Sequence, residues 1–366
     1  MKKKFCVLGL LLPVILSGCS GSSSDNGKSI PELTADQKAE DFEYMYNILS
    51  ENYPYFEVNK RVNGIDWKGN KDVYLKKIRG TSDNINHLIQ LFYIMNDLKN
   101  GHDELLFGDN YNYFSDIYLN MYSTLDEAEP WRAVFKEAQP YYEDYWSIQD
   151  NKLSSPPLFQ THDRGRPVSK TFSDGESAAF EILEEGKIAY MKLSSMAQPS
   201  DSERKRIMDF YGKIKDYADL IIDIRKNNGG HAGYWTDQVM APLISSPVTS
   251  STISLFRGGS YLDPFLRAKG VKTSDIASLP VRSNYPAECK TNFTRFVDFK
   301  ITVNPSSDTI GFKGKVYLLV GPDTFSSSES FAMFCKETGW ATIVGTKTGG
   351  AGGEGATGPI VAILPN

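Results

Sequence analysis

Ser326, His102 and the pair Gly229-Gly230 are the residues of this chain whose types could do chemistry together. A hydroxyl can attack, an imidazole can take its proton, and unhindered backbone N–H groups after a glycine pair can hold the negative oxygen that results. Those are the parts of acyl transfer. A lone Ser and a lone His are weak signals, so the elements that carry them decide how much weight they bear.

Ser326 lies in Phe325-Ser326-Ser327-Ser328-Glu329. Val316 to Val320 is a short β-rich apolar run, Gly321-Pro322-Asp323 breaks it, and Ser328-Glu329 opens a segment with Phe331, Phe334 and Cys335 at helical spacing. The serine is therefore placed where a buried strand hands over to a helix. N–H groups of a first helical turn point outward unpaired, and the local dipole favours a developing oxyanion. The same position suits a second use, in which Ser326, Ser327 and Ser328 only cap the helix.

The glycine pair ends a run Leu220-Ile221-Ile222-Asp223-Ile224-Arg225-Lys226-Asn227-Asn228-Gly229-Gly230, in which Leu220 to Arg225 reads as a strand. Asp223 and Arg225 fit an anchoring use at that strand-to-loop junction. His102 sits in Leu98-Lys99-Asn100-Gly101-His102-Asp103, just after Gly101, which reads as the C-terminal cap of a helix from about Asn84 to Lys99 with Ile85, Leu88, Ile89, Phe92 and Met95 inward.

Further elements follow the same logic. Thr34 and Gln37 have capping-box spacing, and Phe42, Met45, Tyr46 and Leu49 make one apolar stripe that ends near Tyr53-Pro54. A helix is expected over Lys71 to Ile78. After Gly186 the chain alternates: strand Ile188 to Leu193, helix Asp201 to Lys215, strand Leu220 to Arg225, helix near Tyr234 to Leu243 and strand Ser251 to Phe256. Strands alternating with helices argue an α/β layer with active groups at strand ends. Residues 31–108 form a small helical N-terminal domain in this reading. Residues 109–180 are an aromatic-rich irregular region, whose Tyr111, Tyr113, Tyr118, Tyr122, Trp131, Tyr141, Tyr142, Tyr145 and Trp146 serve packing or a binding surface. Residues 181–366 are the α/β domain. Ile360 to Leu364 reads as an apolar strand close to Asn366, with little left to cover its outer side, so the domain is expected to be truncated.

The N-terminus has its own signal. Residues 1–18 start with three lysines and continue with an apolar stretch from Phe5 to Leu16 too short to span a bilayer, which reads as a secretory signal. Leu16-Ser17-Gly18-Cys19 resembles a bacterial lipobox, which implies cleavage before Cys19 and lipid on its thiol. Residues 19–30, rich in Ser and Gly, suit a flexible tether. Localisation at a bacterial cell envelope, extracytoplasmic and anchored in the membrane through Cys19, follows from that reading.

Composition excludes several classes. The chain has 366 residues, 40% hydrophobic and 23% charged, with a formal net charge of -5 and no basic run, so nucleic acid is not an expected partner. Beyond Cys6 and Cys19 only Cys289 and Cys335 remain, which is no disulfide framework, although one bridge between them is open. No pair of histidines has zinc-site spacing, so neither a metal nor another cofactor is expected. His87 fits packing or solvent on its helix, His162 stands beside Asp163, and His231 adjoins the glycine pair and could touch substrate.

Taken in order, the Asn100-Gly101-His102 stretch, the Asp-Ile-Arg-x-Asn-x-Gly-Gly loop and the Ser-x-Ser-Glu segment resemble the family of C-terminal processing (tail-specific) peptidases and tricorn proteases. The resemblance covers roughly Gly186 to Asn366, with His102 and its preceding helix as a second patch. It implies a crotonase-like α/β catalytic domain, Ser326 as nucleophile, and oxyanion donors at the N–H groups of Ser327, Gly229 and Gly230. In the processing branch a Lys within a Phe-Gly-Lys-Gly segment activates the serine. The matching stretch here is Gly349-Gly350-Ala351-Gly352, and Ala351 cannot take a proton. The tricorn-like branch uses a His from an upstream Leu-x-Asp-Gly-His-Thr pattern, which maps to His102 with Asn100 and Asp103 departing from it. Imidazole is a competent base near neutral pH, whereas an amine must be strongly desolvated to serve. Lys347, in the same loop as Ala351, is the alternative base. The orienting acid of that branch lies further downstream than this chain reaches, which leaves Asp103 and Glu354 as local substitutes. No glycine-led PDZ carboxylate loop stands between Gly108 and Glu176, which again favours the tricorn-like branch.

The expected function is an extracytoplasmic lipid-anchored serine endopeptidase acting on peptides or unfolded protein through a Ser-His mechanism. The alternative is a non-catalytic lipoprotein on the same fold that binds a peptide or an apolar ligand through the aromatic-rich region.

Overall fold

The computed structural model of the chain describes residues 11–13, 31–106, 108–122, 124, 126–149, 177–197, 200–280, 285–352 and 360–366. Cys19, the tether 19–30, His162 and Glu354 lie outside them. The chain divides into two compact units, one made of Met1–Ser169, Leu255–Val297 and Ala356–Asn366, the other of Lys170–Ser254 and Asp298–Gly355. The expected single domain over 181–366 is thus shared between two units, because two of its segments bury their apolar residues among the helices instead.

The first unit is helical. Helix α1 (Ala35–Asn52) opens on the expected capping box, with Thr34 Oγ1 accepting from Gln37 N at 3.2 Å and Gln37 Oε1 accepting from Thr34 N at 3.0 Å. Phe42, Met45 and Leu49 from this helix are buried. Helix α2 (Phe56–Asn63) has no counterpart in the sequence reading and ends on Gly64 in the left-handed region. Helix α3 (Lys71–Arg79) lies where it is expected. Helix α4 (Asn84–Asn96) stops short of Lys99, with Asp97 as its cap instead of Gly101. Its Ile85 is exposed while Leu91 and Ile94 are fully buried, since a helix with apolar residues on most sides does not declare its inner face. Strand β1 (Glu104–Leu106) pairs in parallel with Leu11–Pro13.

The aromatic-rich region is not irregular where it is described. It folds as α5 (Gly108–Asp116), a π-helical turn (Ile117–Met121) and α6 (Glu129–Gln149), which carries Pro140 inside it. Trp131 and Phe135 are fully buried, Tyr118 stacks on Trp131 at 5.5 Å and Tyr111 on Tyr142 at 3.7 Å. These rings pack the core, and Phe265 from the helix Asp263–Ala268 meets Trp131 edge-on at 5.0 Å. Proline and a run of tyrosines, both poor helix signals, hid the helix from the sequence reading.

The final residues close the same core. Val361, Ala362 and Leu364 are buried in one cluster with Phe42 and Met45, and Val361 makes only a single β-bridge, so Ile360 to Leu364 is not the expected strand. Asn366 donates through its backbone N and Nδ2 to Asp41 Oδ1, at 3.0 and 3.1 Å. Asp41 Oδ2 also faces His87 Nε2 at 3.3 Å, so His87 packs inside and does not face water.

The second unit is built on a five-stranded sheet. Two strands that begin in one unit and end in the other, β5 (Val248–Phe256) and β6 (Arg295–Val303), form a separate three-stranded sheet with Ser274–Asp275. The five strands stand in the order β8 (Thr342–Gly345), β7 (Lys315–Val320), β4 (Asp219–Asp223), β3 (Ile188–Leu193) and β2 (Ala178–Glu184). The first four run parallel and β2 is antiparallel at the edge. Met191, Leu220, Ile222 and Leu318 are fully buried, in one cluster with Phe331 and Phe334 and with residues of α7 (Asp201–Ile214) and α8 (Ser327–Thr338). Near-continuous apolar runs of this kind mark parallel strands covered on both faces. Cys289 and Cys335 are free thiols, and burial pushes the Cys335 thiol up.

Candidate active site

Parallel strands bring their carboxyl ends to one edge. Lys192 of β3 is in register with Asp223 of β4, which is in register with Leu319 of β7. The three chain segments that leave this edge, 194–197, 224–233 and 321–327, build the site.

The turn after β7 is set by Thr324. Its buried hydroxyl accepts from Gly321 N at 3.0 Å and donates to Ile224 O at 2.9 Å. Ser326 follows with φ 58° and ψ -121°, a conformation that L residues rarely adopt and that costs about 1–3 kcal/mol. Its side chain makes no capping hydrogen bond to the helix it precedes. Ser328 does the local bonding instead. Its Oγ accepts from Phe325 N at 2.9 Å and reaches Asn227 O at 2.6 Å. Neither serine caps the helix: Ser328 ties the turn together from the first helical turn, and Ser326, at the N-cap position, is left half-buried with its hydroxyl uncommitted to the helix.

The loop after β4 presses on that turn. Gly229 has φ 97° and a Cβ there would stand 2.7 Å from Phe325 O, 2.8 Å from Ser326 Cβ and 2.8 Å from Ser327 N. Gly230, at φ 138°, lies against Met196, where a Cβ would come within 2.3 Å of Met196 O. Met196 N donates to Gly229 O at 2.9 Å and His231 N to Met196 O at 2.6 Å, so the segment after β3 staples the loop. Glycine is required at both positions by space as well as by φ.

This arrangement corrects one of the expected oxyanion donors. The Gly229 N–H already donates to Asn227 Oδ1 at 2.8 Å. The N–H groups of Ser327 and Gly230 have no acceptor among the described residues. Two of the three expected donors are therefore available, one on the residue after Ser326 and one on the residue after Gly229, the glycine that presses on the serine turn.

A third wall comes from the glycine-rich segment. Gly350 O accepts from Ser326 N at 3.0 Å and Thr324 O from Gly349 N at 2.8 Å. Glu329, in the first turn of α8, holds this segment by accepting from Thr348 Oγ1 at 2.8 Å and from Gly350 N at 3.2 Å. Ala351 stands at φ 63° and offers no base. Lys347 is exposed, which deprives it of the desolvation an amine base needs.

Asp223 anchors the start of the loop, as its position suggested. Its Oδ1 accepts from Arg225 N and Nε at 2.9 and 3.0 Å, and its Oδ2 from Arg225 Nη2 and Tyr190 Oη at 2.7 and 2.6 Å. Burial alone would raise its carboxyl, but the Arg225 and Tyr190 hydrogen bonds outweigh it and hold the group at about 2. His231 is exposed, and its Nδ1 accepts from Gly233 N at 3.2 Å. The neutral ring then carries its proton on Nε2 and has no free lone pair for a base.

His102 belongs to the helical unit. It follows Lys99, a non-glycine residue at φ 55°, and its backbone N donates to Asn100 Oδ1 at 3.2 Å. The two residues that depart from the tricorn-like pattern share a partner. The Tyr53 hydroxyl is pushed up first by burial and then by the charge of Asp103, with the Asn100 side chain opposing the rise. Asp103 is itself buried, so its carboxylate has a structural partner in Tyr53 beside whatever it does for His102.

What sequence reasoning missed here is the part played by Asn227 and Glu329. Both were visible as polar residues inside the motifs, but only the backbone geometry shows what they hold.

Comparison with known proteins bears on the same residues. Residues 187–359 match the family described as Peptidase family S41. In a search of the curated proteins nothing matches. Among solved structures, a candidate peptidase from Parabacteroides merdae ATCC 43184 is similar at 17% identity over 86% of this chain and 77% of that one, with a TM-score of 0.50. Mature CPAF complexed with lactacystin is similar at 12% identity over 87% and 86% of the two chains, with a TM-score of 0.49. A lipoprotein from Streptococcus agalactiae is similar at 11% identity over 89% and 80%, with a TM-score of 0.38. The first of these likenesses bears on the fold: a helical N-terminal region with a mixed α/β, sheet-containing peptidase unit.

Proposed function

We propose that the chain, whose residues 187–359 match the family described as Peptidase family S41, is a serine endopeptidase in which Ser326 is the nucleophile and His102 the general base. The observation that carries the proposal is Ser326 itself. A residue held at φ 58° and ψ -121° between a strand and a helix keeps that cost only where something over-determines it, and strain of this kind gathers at reacting groups. The N–H groups of Ser327 and Gly230, neither with an acceptor among the described residues, support an oxyanion hole.

In this reading Ser326 Oγ attacks the scissile carbonyl and His102 takes its proton. The carbonyl oxygen becomes the oxyanion held by the Ser327 and Gly230 N–H groups. The tetrahedral species collapses as His102 returns the proton to the leaving amine, and water repeats the sequence on the acyl-enzyme. Asp103 and Glu354 are the candidates for the acid that orients the imidazole. Substrates are peptides or unfolded protein. The lipobox at Leu16-Ser17-Gly18-Cys19 supports a location on the outer side of a bacterial membrane, with Cys19 lipidated.

The test is labelling by a serine-reactive phosphonate together with peptide hydrolysis, for wild type, Ser326→Ala and His102→Ala. Ser326→Ala should abolish both signals. His102→Ala should lose hydrolysis, and added imidazole should restore part of it. A wild-type protein that resists the phosphonate and cleaves no peptide would sink the peptidase reading in favour of a ligand-binding lipoprotein.

A further inference from the structure

Asn227 is fully buried, and every polar atom it has is spent on a different piece of chain. Its Nδ2 donates to Leu193 O at the end of β3, at 3.1 Å, and its Oδ1 accepts from Gly229 N at 2.8 Å. Its backbone N donates to Ile224 O at 3.1 Å. Its backbone O accepts from Phe325 N at 3.2 Å and from Ser328 Oγ at 2.6 Å, the residues just before and two after Ser326. The two amide assignments are forced, because Leu193 O can only accept and Gly229 N–H can only donate.

We propose that Asn227 is the positioning residue of the oxyanion hole, a role that rests on the peptidase reading above. Its planar carboxamide spans a fixed point, the carboxyl end of β3, and a movable one, the Gly229 N–H. Holding that N–H inward leaves the next one, at Gly230, as the loop's donor toward substrate. Its backbone carbonyl meanwhile holds the residues on either side of Ser326. Asn227 thus ties the loop that carries the donor to the turn that carries the nucleophile, and the spacing of the two decides how well an oxyanion is stabilised. Without the carboxamide the Gly229 N–H loses its acceptor, and the glycine pair is held only by the Met196 hydrogen bonds to Gly229 O and His231 N.

The variant that reads this role is Asn227→Asp, with Asn227→Ala beside it. Aspartate keeps the acceptor for Gly229 but presents a second acceptor to Leu193 O, which repels it when ionised and accepts a hydrogen bond from its O–H when neutral. At neutral pH kcat of Asn227→Asp should fall about tenfold to a hundredfold with KM little changed, less than the loss of an entire oxyanion donor. As pH is lowered the ratio of variant to wild-type kcat should climb, since the protonated carboxyl again donates to Leu193 O. A merely structural residue would instead lower the folded fraction, read by thermal melting, at constant kcat per folded molecule. A ratio that stays flat with pH would overturn the proposal.

Amide hydrogen exchange gives an arm that needs no activity. In Asn227→Asp at neutral pH, and in Asn227→Ala, exchange at Gly229 should speed up at least tenfold while amides of β3 and β4 keep their wild-type rates. Unchanged exchange at Gly229 overturns the positioning role even in an active enzyme. A wild type inert to peptides and phosphonate, with Gly229 exchange still dependent on Asn227, would remove the peptidase reading and leave the loop-setting role of Asn227 standing.

Discussion

The Cα of Gly229 approaches Ser326 so closely that a Cβ on the glycine would stand 2.8 Å from the serine Cβ. Real Cβ atoms do not tolerate that distance, and at φ 97° an L side chain is strained as well. Gly229→Ala should therefore push the loop off the nucleophile, costing about 1–3 kcal/mol of stability and at least a hundredfold in the rate of phosphonate labelling. Thermal melting and labelling kinetics on one preparation check both; a labelling rate equal to wild type would mean that the two segments do not set each other.

The backbone of Ser326 gives a stability prediction with an unusual sign. Glycine adopts φ 58°, ψ -121° with ease, so Ser326→Gly relieves the strain that Ser326→Ala keeps. Against this, glycine loses roughly 0.5–1 kcal/mol more chain entropy on folding. The glycine variant should still be the more stable of two inactive proteins, by about 0.5–2 kcal/mol in urea unfolding. Coincident unfolding curves would mean that the turn carries no strain.

Glu329 binds the glycine-rich wall through Thr348 and Gly350. Glu329→Ala should release that segment, raise its susceptibility to proteolysis near residues 346–352 and cut kcat about tenfold, because Gly350 O is what holds the Ser326 N–H. Limited proteolysis followed by mass mapping reads the first effect and steady-state kinetics the second. Cutting elsewhere in the chain would point to general unfolding.

Asp223 makes stability depend on pH. Its carboxyl titrates at about 2 in the folded protein against an ordinary 3.8, a lowered value, so it stabilises the fold above pH 4 and that contribution is lost as pH falls toward 2. With Arg225 half exposed to solvent the effect is on the order of 1–2 kcal/mol. Asp223→Asn should flatten the acid limb of the unfolding midpoint between pH 4 and pH 2. A limb with the wild-type slope would place the acid sensitivity elsewhere.

The site was legible in the sequence to the extent that it is made of local signals. Strand Ile188–Leu193 and the strand-to-helix turn at Ser326 follow from apolar runs and breakers, and the glycine pair from composition. The direction of an N–H is not local. That Gly229 donates to Asn227 and Gly230 does not depends on Leu193 and Met196, more than 30 residues away in the chain. The helical unit was harder for a different reason. Tyr118, Trp131 and Phe135 bury themselves in helices whose residue types argue against helix, so tertiary packing overrides propensity there. The membership of residues 255–297 and 356–366 in that unit is a matter of which core accepts Phe265 and Val361, and no period or motif carries it.

The burial of Val361 and Ala362 beside Phe42 and Met45 also sets a clock. A ribosome adding about 5–20 residues each second needs on the order of half a minute to travel from the first helix to these last apolar residues. For that interval α1 exists without the side chains that will cover it and without Asn366 to satisfy Asp41. The core begun by α1 therefore stays open until residues 360–366 have been made, and for that interval a nascent chain offers an apolar surface to any chaperone that reaches it first.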